Sequence, residues 1–226
     1  MSIFITGDTH GDVDVHKLSR KCFDYKGLTK DDYLIIAGDF GFIWYGNKKD
    51  DWWLKWVNSL PCTVLFCDGN HENFDALEKY PVEEWHGGKV HRIRDTIYHL
   101  IRGQVYDLYS LKFFVFGGAS SHDKEYRKER VNWWPQEIPN SVEKQGAIEN
   151  LDKNDWKVDY VITHCAPDKI LDDLEIRYDG HDSVTEFLDT IDNRLEFRHW
   201  YFGHYHMDKK IDDKHTLIFD RIEKIE

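Results

Sequence analysis

The chain has 226 residues, of which 41% are hydrophobic, so it is long enough for one substantial core and is unlike disordered or fibrous proteins. Its formal net charge of −12 disfavours long nucleic acid as a partner, because phosphate contacts dominate that affinity. No apolar run approaches the roughly 20 residues that cross a bilayer. Met1–Ile5 lacks the pattern of a signal peptide, and the four cysteines form no CxxC pair. We therefore expect a single domain over residues 1–226, cytoplasmic, with reduced thiols and no membrane partner.

Short apolar runs rich in β-branched and aromatic residues predict buried strands at 3–5, 33–37, 63–67, 113–116, 160–162, 200–202 and 216–219. Helical periodicity lies between them, at residues 51–59, 141–154 and 183–195. This alternation predicts an α/β fold. The stretch 87–116 is richer in strand patterns and indicates a second sheet. In the first helix, Trp52, Trp53 and Trp56 share one face, and we predict that they belong to the core.

Polar motifs follow five of the predicted strands. They are GDTHG at 7–11, GDFG at 38–41, GNHE at 69–72, THCAP at 163–167 and GHYH at 203–206. Because ligands bind outside the carboxyl ends of strands in open α/β sheets, these five ends are expected side by side around one cleft. The candidate metal ligands in the motifs are Asp8, His10, Asp39, Asn70, His164, His204 and His206.

The residue types in these motifs suit a particular chemistry. Carboxylate, amide oxygen and imidazole bind borderline divalent ions, of which we expect Mn first and Fe, Zn, Ni or Co as possible occupants. Seven ligands are too many for one ion but suit two ions that share a bridging carboxylate. Two metals close together clamp a phosphoryl group and lower the pKa of a bound water. The sequence therefore predicts a two-metal phosphoesterase with a small phosphate-ester substrate.

The ordered set of five motifs resembles the calcineurin-like metallophosphoesterases, whose pattern is GDxHG, GDxx, GNH[DE], a lone His and GHxH. The motifs span residues 7–206, which is nearly the whole chain. The resemblance implies a two-sheet β-sandwich flanked by helices, a four-layer αββα arrangement. It also implies roles for individual residues: Asp8, His10 and His206 on the first ion, Asn70, His164 and His204 on the second, Asp39 bridging both, and His71 beside the leaving-group oxygen.

The sequence indicates the substrate less clearly than it indicates the metal ligands. Phosphoserine and phosphothreonine phosphatases of the family usually carry GDxVDRG at the second motif, and the Arg grips the phosphate. That Arg is missing after Asp39, which disfavours a phosphoprotein phosphatase. A symmetrical dinucleoside tetraphosphatase is disfavoured for the same reason. In the other direction, Glu72 gives the GNHE ending that is typical of the phosphoprotein phosphatases. We predict a phosphomonoesterase or phosphodiesterase for nucleotide-like substrates. The alternatives are a phosphoprotein phosphatase, a non-catalytic scaffold, against which the complete ligand set argues, and a nuclease subunit, against which the acidic charge argues. The sequence carries no signal of oligomeric state.

The polar segment 120–140 is the best candidate for a functional loop. Arg127 could bind a phosphate oxygen, and Trp133 and Trp134 could stack on a base or cover the site. The alternative is that these aromatic residues only pin a surface loop. Asp12 and Glu72 are weaker candidates, as hydrogen-bond partners that orient a ligating His.

Overall fold

Two β-sheets pack face to face, with helices on both outer faces, in the computed structural model, which describes residues 1–174 and 181–226. The strands are β1 Ile3–Thr6, β2 Tyr33–Ile36, β3 Thr63–Phe66, β4 Val82–Trp85, β5 Gly88–Arg94, β6 Ile97–Leu100, β7 Gln104–Leu108, β8 Leu111–Phe116, β9 Tyr160–Thr163, β10 His199–Phe202, β11 Lys209–Lys210, β12 His215–Leu217 and β13 Glu223–Lys224. The helices are α1 Lys48–Asn58, α2 Phe74–Leu77, α3 Ser141–Lys153, α4 Asp168–Leu174 and α5 Thr185–Asp192.

The first sheet has the strand order β13-β1-β2-β3-β6-β5-β4, and the second has the order β11-β12-β10-β9-β8-β7. Each sheet contains four neighbouring strands that pair in parallel. They are β1-β2-β3-β6 in the first sheet and β12-β10-β9-β8 in the second. The sequence predicts that the five motif-bearing strands end side by side, but these strands are divided between the two sheets. Three of them, β1 to β3, belong to the first sheet, and two, β9 and β10, belong to the second. The candidate site therefore lies where the two sheets meet.

Alternate side chains along each strand fill two different hydrophobic layers. Ile35 and Ile162 belong to the cluster between the two sheets. Leu34 points the other way and joins Leu54 of α1 in the outer cluster of the first sheet. Val161 likewise belongs to the outer cluster of the second sheet, which α3, α4 and α5 cover. Both faces of these strands are buried, which confirms the predicted four-layer arrangement of helix, sheet, sheet and helix.

The β-rich stretch 87–116 does not form a sheet of its own. β6 pairs in parallel with β3 and carries β5 with it into the first sheet. β7 and β8 form an antiparallel hairpin that joins the second sheet through β9. The stretch crosses from one sheet to the other because its first hairpin pairs with β3 through β6, and its second hairpin pairs with β9 through β8.

Helix α1 packs only part of the predicted tryptophan stripe against the core. Its fully buried positions are Asp50, Leu54 and Val57, spaced four and three residues apart. Trp52 lies two residues from both Asp50 and Leu54, on the opposite side of the helix, and is 58% exposed. The prediction that Trp52 belongs to the core is therefore wrong, while Trp53 and Trp56 are partly buried against the outer cluster.

Three of the four cysteines are buried, and Cys22 is exposed. Cys62 and Cys67 are buried, and burial raises the pKa of the Cys62 thiol to about 11. Among the residues that the structure describes, no helix has both the length and the apolar character needed to cross a bilayer.

A buried histidine fastens helix α5 to the edge of the second sheet. His215 of β12 places Nε2 3.4 Å from Asp192 Oδ1 at the end of α5, and Nδ1 2.9 Å from Asp212 Oδ2. Burial opposes the charged ring, but the neighbouring carboxylate of Asp192 and the hydrogen-bonded carboxylate of Asp212 outweigh it and raise the pKa of His215. The imidazolium is thus stabilised in the folded chain relative to the unfolded one.

We expect His215→Gln to lower the free energy of unfolding by roughly 1.5–3 kcal/mol at pH 6, the typical contribution of a hydrogen bond to a charged group. Because the folded pKa is raised, the contribution is complete below the unfolded value of about 6.5 and is lost as pH rises through the folded pKa. Urea denaturation from pH 6 to 9 measures the free energies of unfolding of the wild type and the variant, which should converge as the pH rises. His16→Gln, on a 65% exposed side chain, is the control, and a pH-independent difference for His215→Gln would contradict the assignment.

Candidate metal centre

The carboxyl ends of β1, β2, β3, β9 and β10 meet at one edge of the sandwich. The turns that follow them carry all seven predicted ligands. Contacts link these side chains across the two sheets, so residues nearly 200 positions apart in the sequence become neighbours. For example, Asp8 Oδ1 accepts a hydrogen bond from the backbone N–H of His204 at 3.0 Å.

Each of the two aspartates uses one oxygen for structure and leaves the other without a hydrogen-bond partner. Asp8 holds the backbone of His204, and Asp39 Oδ1 accepts from the backbone N–H of His71 at 2.6 Å. Asp8 Oδ2 and Asp39 Oδ2 are buried and accept no hydrogen bond of good geometry within the described ranges. A buried carboxylate oxygen in this condition calls for a cation.

Imidazole nitrogens surround both of these oxygens. His206 Nε2 lies 3.2 Å from Asp8 Oδ2, and His10 Nε2 lies 3.2 Å from Asp39 Oδ2. His164 Nε2 lies 3.4 Å from the same Asp39 oxygen. Ligand atoms of Asp8, His10 and His206 lie within 4.8 Å of one another, as do those of Asp8, Asp39 and His164. Such spacing, with carboxylate and imidazole donors, fits divalent ions of the first transition row.

The two carboxylates also set the charge state of the nearby rings. Burial disfavours the charged form of His10, but the nearby carboxylate of Asp39 outweighs it and raises the pKa of His10 to about 9. The same balance, with Asp39 again the main partner, raises the pKa of His164 to about 10. Protons on these rings compensate the negative charge in the metal-free chain, and divalent ions would replace them.

Asn70 is held with its oxygen toward His164. The hydroxyl of Ser121 donates to Glu137 at 2.7 Å and accepts from the amide Nδ2 of Asn70 at 3.1 Å. The amide oxygen of Asn70 then lies 3.1 Å from His164 Nε2. The ring of His204 lies beside that of His164, at a centroid distance of 4.9 Å. Ser121 and Glu137 were not recognised in the sequence, where they read as ordinary loop residues.

Four of the seven predicted ligands have left-handed backbone conformations, which are rare for residues with a side chain. They are His10, Asp39, His204 and His206, with φ of 44°, 47°, 71° and 49°. Strained backbone of this kind concentrates at functional sites. Gly69 shows how tightly the turns pack, since a Cβ there would collide with the Asp39 carboxylate.

The partner that orients His10 is Asp14 rather than the predicted Asp12. Asp14 Oδ2 lies 2.8 Å from His10 Nδ1, which leaves Nε2 to face Asp39. Asp12 instead pairs with Lys49 at 3.1 Å. His10 and Asp14 meet because the chain turns between them, where the backbone N–H of Asp14 donates to the carbonyl of Thr9 at 3.0 Å.

Glu72 does not orient a histidine either. It is buried, and its carboxyl group accepts from the backbone N–H of Phe40 at 2.7 Å and of Gly41 at 3.4 Å. It therefore fixes the turn that presents Asp39. Burial, reinforced by the charge of Asp39, raises the pKa of Glu72 well above its usual range.

Two further side chains of the sequence prediction meet beside the centre. Arg127 places Nη1 3.2 Å from His71 Nδ1 and Nη2 3.4 Å from His71 Nε2. Its Nε lies 2.7 Å from Asp123, which steadies the guanidinium. Burial lowers the pKa of His71, and Arg127 adds to this against the opposing charge of Asp39. The loop 120–140 thus brings one cation to the edge of the cleft.

The two tryptophans of this loop are placed differently from Arg127. Trp134 is 2% exposed, its ring packs edge-on against Trp44, and its indole N–H donates to Asp75 at 3.0 Å. These contacts support the alternative that Trp134 pins the loop, and its buried ring is not available to stack on a base. Trp133 is half-buried.

One family model and two solved structures are similar to this chain. The family model for the calcineurin-like phosphoesterases matches residues 1–208. The solved structure of a phosphopantetheinyl hydrolase from Mycobacterium tuberculosis is 16% identical, with a TM-score of 0.49 over 96% of this chain and 88% of that one. A protein serine/threonine phosphatase from Saccharomyces cerevisiae is 16% identical, with a TM-score of 0.40 over 97% and 67%. No curated protein matches the sequence.

The chain belongs to the calcineurin-like phosphoesterase family. It is a metal-dependent hydrolase, and its candidate ligand groups suit the two-ion centre that is usual in this family.

We expect Asp14→Ala to weaken binding of the ion nearest His10 roughly 10- to 100-fold, since loss of a carboxylate that orients a ligating imidazole has effects of this size. Titration of the metal-free protein with Mn²⁺, followed by calorimetry, measures the change. Asp12→Ala is the matched control, because Asp12 pairs with Lys49 instead. Equal affinities in the two variants would remove Asp14 from this role.

Proposed function

We propose that this protein hydrolyses a small, nucleotide-like phosphate mono- or diester at two divalent ions held by the seven predicted ligands. Asp8, His10 and His206 would hold the first ion, Asn70, His164 and His204 the second, and Asp39 would bridge them. Mn²⁺ is the expected occupant, and Fe, Zn, Ni and Co fit the same donors. The proposal keeps the cytoplasmic location expected from the sequence.

The observation that carries the proposal is the pair of unpartnered carboxylate oxygens, Asp8 Oδ2 and Asp39 Oδ2. Two buried negative charges this close repel each other, and protonated histidines are their compensation in the metal-free chain. Because imidazoles from three turns face these oxygens, the arrangement has little use except to hold cations. A purely structural pair of aspartates would have both oxygens hydrogen-bonded.

When bound, the ions would supply a nucleophilic water of lowered pKa and polarise the phosphoryl oxygens. The chain itself contributes orientation and charge. Asp14 and Ser121 set the ring of His10 and the amide of Asn70. The His71 ring, whose backbone is tied to Asp39, would protonate the leaving-group oxygen or donate a hydrogen bond to it.

Arg127 would take over the role of the arginine that is missing from the second motif. Its guanidinium lies against His71 and is only 15% exposed, so it faces the cleft rather than solvent. Planar guanidinium groups bind phosphate oxygens in a two-pronged geometry. This arginine comes from the loop 120–140, so phosphate recognition would depend on that loop.

The first test is metal removal. Chelator-stripped protein should lose hydrolysis of an aryl phosphate or phosphodiester, and Mn²⁺ or Ni²⁺ should restore it. Asp39→Asn should abolish activity, because one oxygen of the bridging carboxylate is replaced by an amide nitrogen that cannot bind metal. Steady-state assays with the metal-loaded protein measure both effects.

Asp213→Asn, on a fully exposed carboxylate, controls for the loss of one negative charge. Circular dichroism should show that Asp39→Asn keeps the native fold. Full activity of metal-free protein, or of Asp39→Asn, would overturn the proposal.

Arg127→Ala should raise KM for the phosphate ester roughly 10- to 100-fold, the equivalent of one charge-assisted hydrogen bond, and Arg127→Lys should restore part of it. Arg130→Ala is the matched control, since Arg130 belongs to the same loop but is 56% exposed and pairs with Asp75. Unchanged kinetics in Arg127→Ala would exclude phosphate binding by this residue.

A phosphoprotein phosphatase is the alternative that the GNHE ending favoured. The contacts of Glu72 with Phe40 and Gly41 account for that ending through the turn that carries Asp39. The ending therefore carries little weight for the substrate. A scaffold or nuclease subunit has no observation in its favour beyond those weighed in the sequence.

A further inference from the structure

A cavity of about 550 Å³ opens directly beside the metal centre. Its residues divide into a wall that belongs to the centre and a wall of aromatic rings. The first wall comprises His10, His71 and His206, and the second comprises Trp44, Tyr45 and Phe219. The ester group of a phosphate held at the centre would have room in this cavity.

The Phe219 side of the cavity is rigidly held. The carbonyl of Phe219 accepts hydrogen bonds from the backbone N–H of Gly7 at 3.3 Å, the hydroxyl of Thr6 at 3.1 Å and the ammonium of Lys17 at 2.5 Å. Its ring stacks on that of His206, at a centroid distance of 4.8 Å and an angle of 24°. The ring thus joins the aromatic wall to a predicted metal ligand.

The opposite side of the cavity combines one fixed ring and one exposed ring. The backbone N–H of Trp44 donates to Asp50 at 2.8 Å, and its carbonyl accepts from Asn73 at 2.6 Å. The Trp44 ring rests on the buried Trp134. Tyr45 beside it is 58% exposed, and the ammonium of Lys49 lies 5.0 Å from its ring centroid. A preformed cavity with planar walls loses little entropy when it binds a flat group.

The charges around the cavity restrict what can fill it. Its acidic residues, Asp12 and Asp14, are engaged with Lys49 and His10. No Lys or Arg is among the residues of the described chain that line it. The ammonium groups of Lys17 and Lys49 lie over the rings of Phe219 and Tyr45, but they are engaged with the Phe219 carbonyl and with Asp12. A second phosphate or other anionic group would therefore have to compete for these ammonium groups and would face two carboxylates. An uncharged ring meets no such penalty.

We propose that this cavity binds an uncharged aromatic ring carried by the substrate, such as a nucleobase or an aryl group, while the phosphate lies at the metal centre. The inference rests on the proposed function and deepens it. It assigns ring recognition to Tyr45, Phe219 and Trp44 rather than to the tryptophans of the loop 120–140. It also predicts that esters with a single phosphate are preferred over those with a second anionic group in this position.

Two non-hydrolysable phosphonates test the inference without any catalytic readout. Phenylphosphonate and methylphosphonate carry the same dianion, and they differ in the ring. Calorimetry with the Mn²⁺-loaded protein, at a pH where both are dianions, should show phenylphosphonate binding about five- to tenfold more tightly, the equivalent of one aromatic contact. Tyr45→Ala should bring this ratio close to one and leave methylphosphonate affinity unchanged. Phe219→Leu should reduce it similarly, and Tyr45→Phe should preserve it.

Two variants and one further ligand serve as controls. Trp52→Ala removes a ring that is also 58% exposed but lies on helix α1, and it should leave the ratio unchanged. Trp133→Ala should also leave the ratio of the two affinities unchanged. If the ratio instead falls to one in Trp133→Ala, the loop 120–140 binds the ring and the inference is overturned. 4-Carboxyphenylphosphonate should bind more weakly than phenylphosphonate.

The two levels of the proposal fail in different ways. If methylphosphonate does not bind to the metal-loaded protein, the proposed function is wrong, and the inference falls with it. If methylphosphonate binds but the ring gives no advantage, or the advantage survives Tyr45→Ala, only the inference is overturned.

Discussion

The buried carboxylates of Asp8 and Asp39 impose the constraint around which this edge of the molecule is built. Each gives one oxygen to a backbone N–H of another turn, so it helps to fold the site, and keeps the other oxygen among imidazoles. A buried charge is costly unless it is compensated. The left-handed backbone of neighbouring residues and the bare glycine at position 69 follow from the need to bring several turns close to these two groups.

The main strands and the candidate metal ligands could be predicted from the sequence, because the strands are continuous apolar runs that end in polar motifs. The same property hid how the motif-bearing strands divide between the two sheets. Strands such as β2 and β9 are buried on both faces, and a run without polar alternation does not reveal which neighbour it pairs with. The helix periodicity identified α1 correctly but not its inner face, because Asp50 faces inward to accept from Trp44 and Gly46, and Trp52 turns outward.

The residues that support the centre were harder to find than the ligands. Asp14, Ser121 and Glu137 are short or polar residues in turns and loops, and only their three-dimensional contacts distinguish them. The same applies to the aromatic cavity, whose rings come from residues 44–45 and 219. The loop 120–140 combines both cases, since its buried Trp134 anchors the segment that carries Arg127 toward His71.

The distribution of the predicted ligands over both sheets has a thermodynamic consequence. Asp8, Asp39 and Asn70 follow strands of the first sheet, while His164 and His204 follow strands of the second. Ions shared between them would cross-link the two halves of the sandwich, and the unfolded chain could not reproduce that geometry. By mass action, each tenfold rise in free ion concentration above the dissociation constant would add about 1.4 kcal/mol per ion to the free energy of unfolding. The melting temperature of this protein would then report the metal supply of its surroundings.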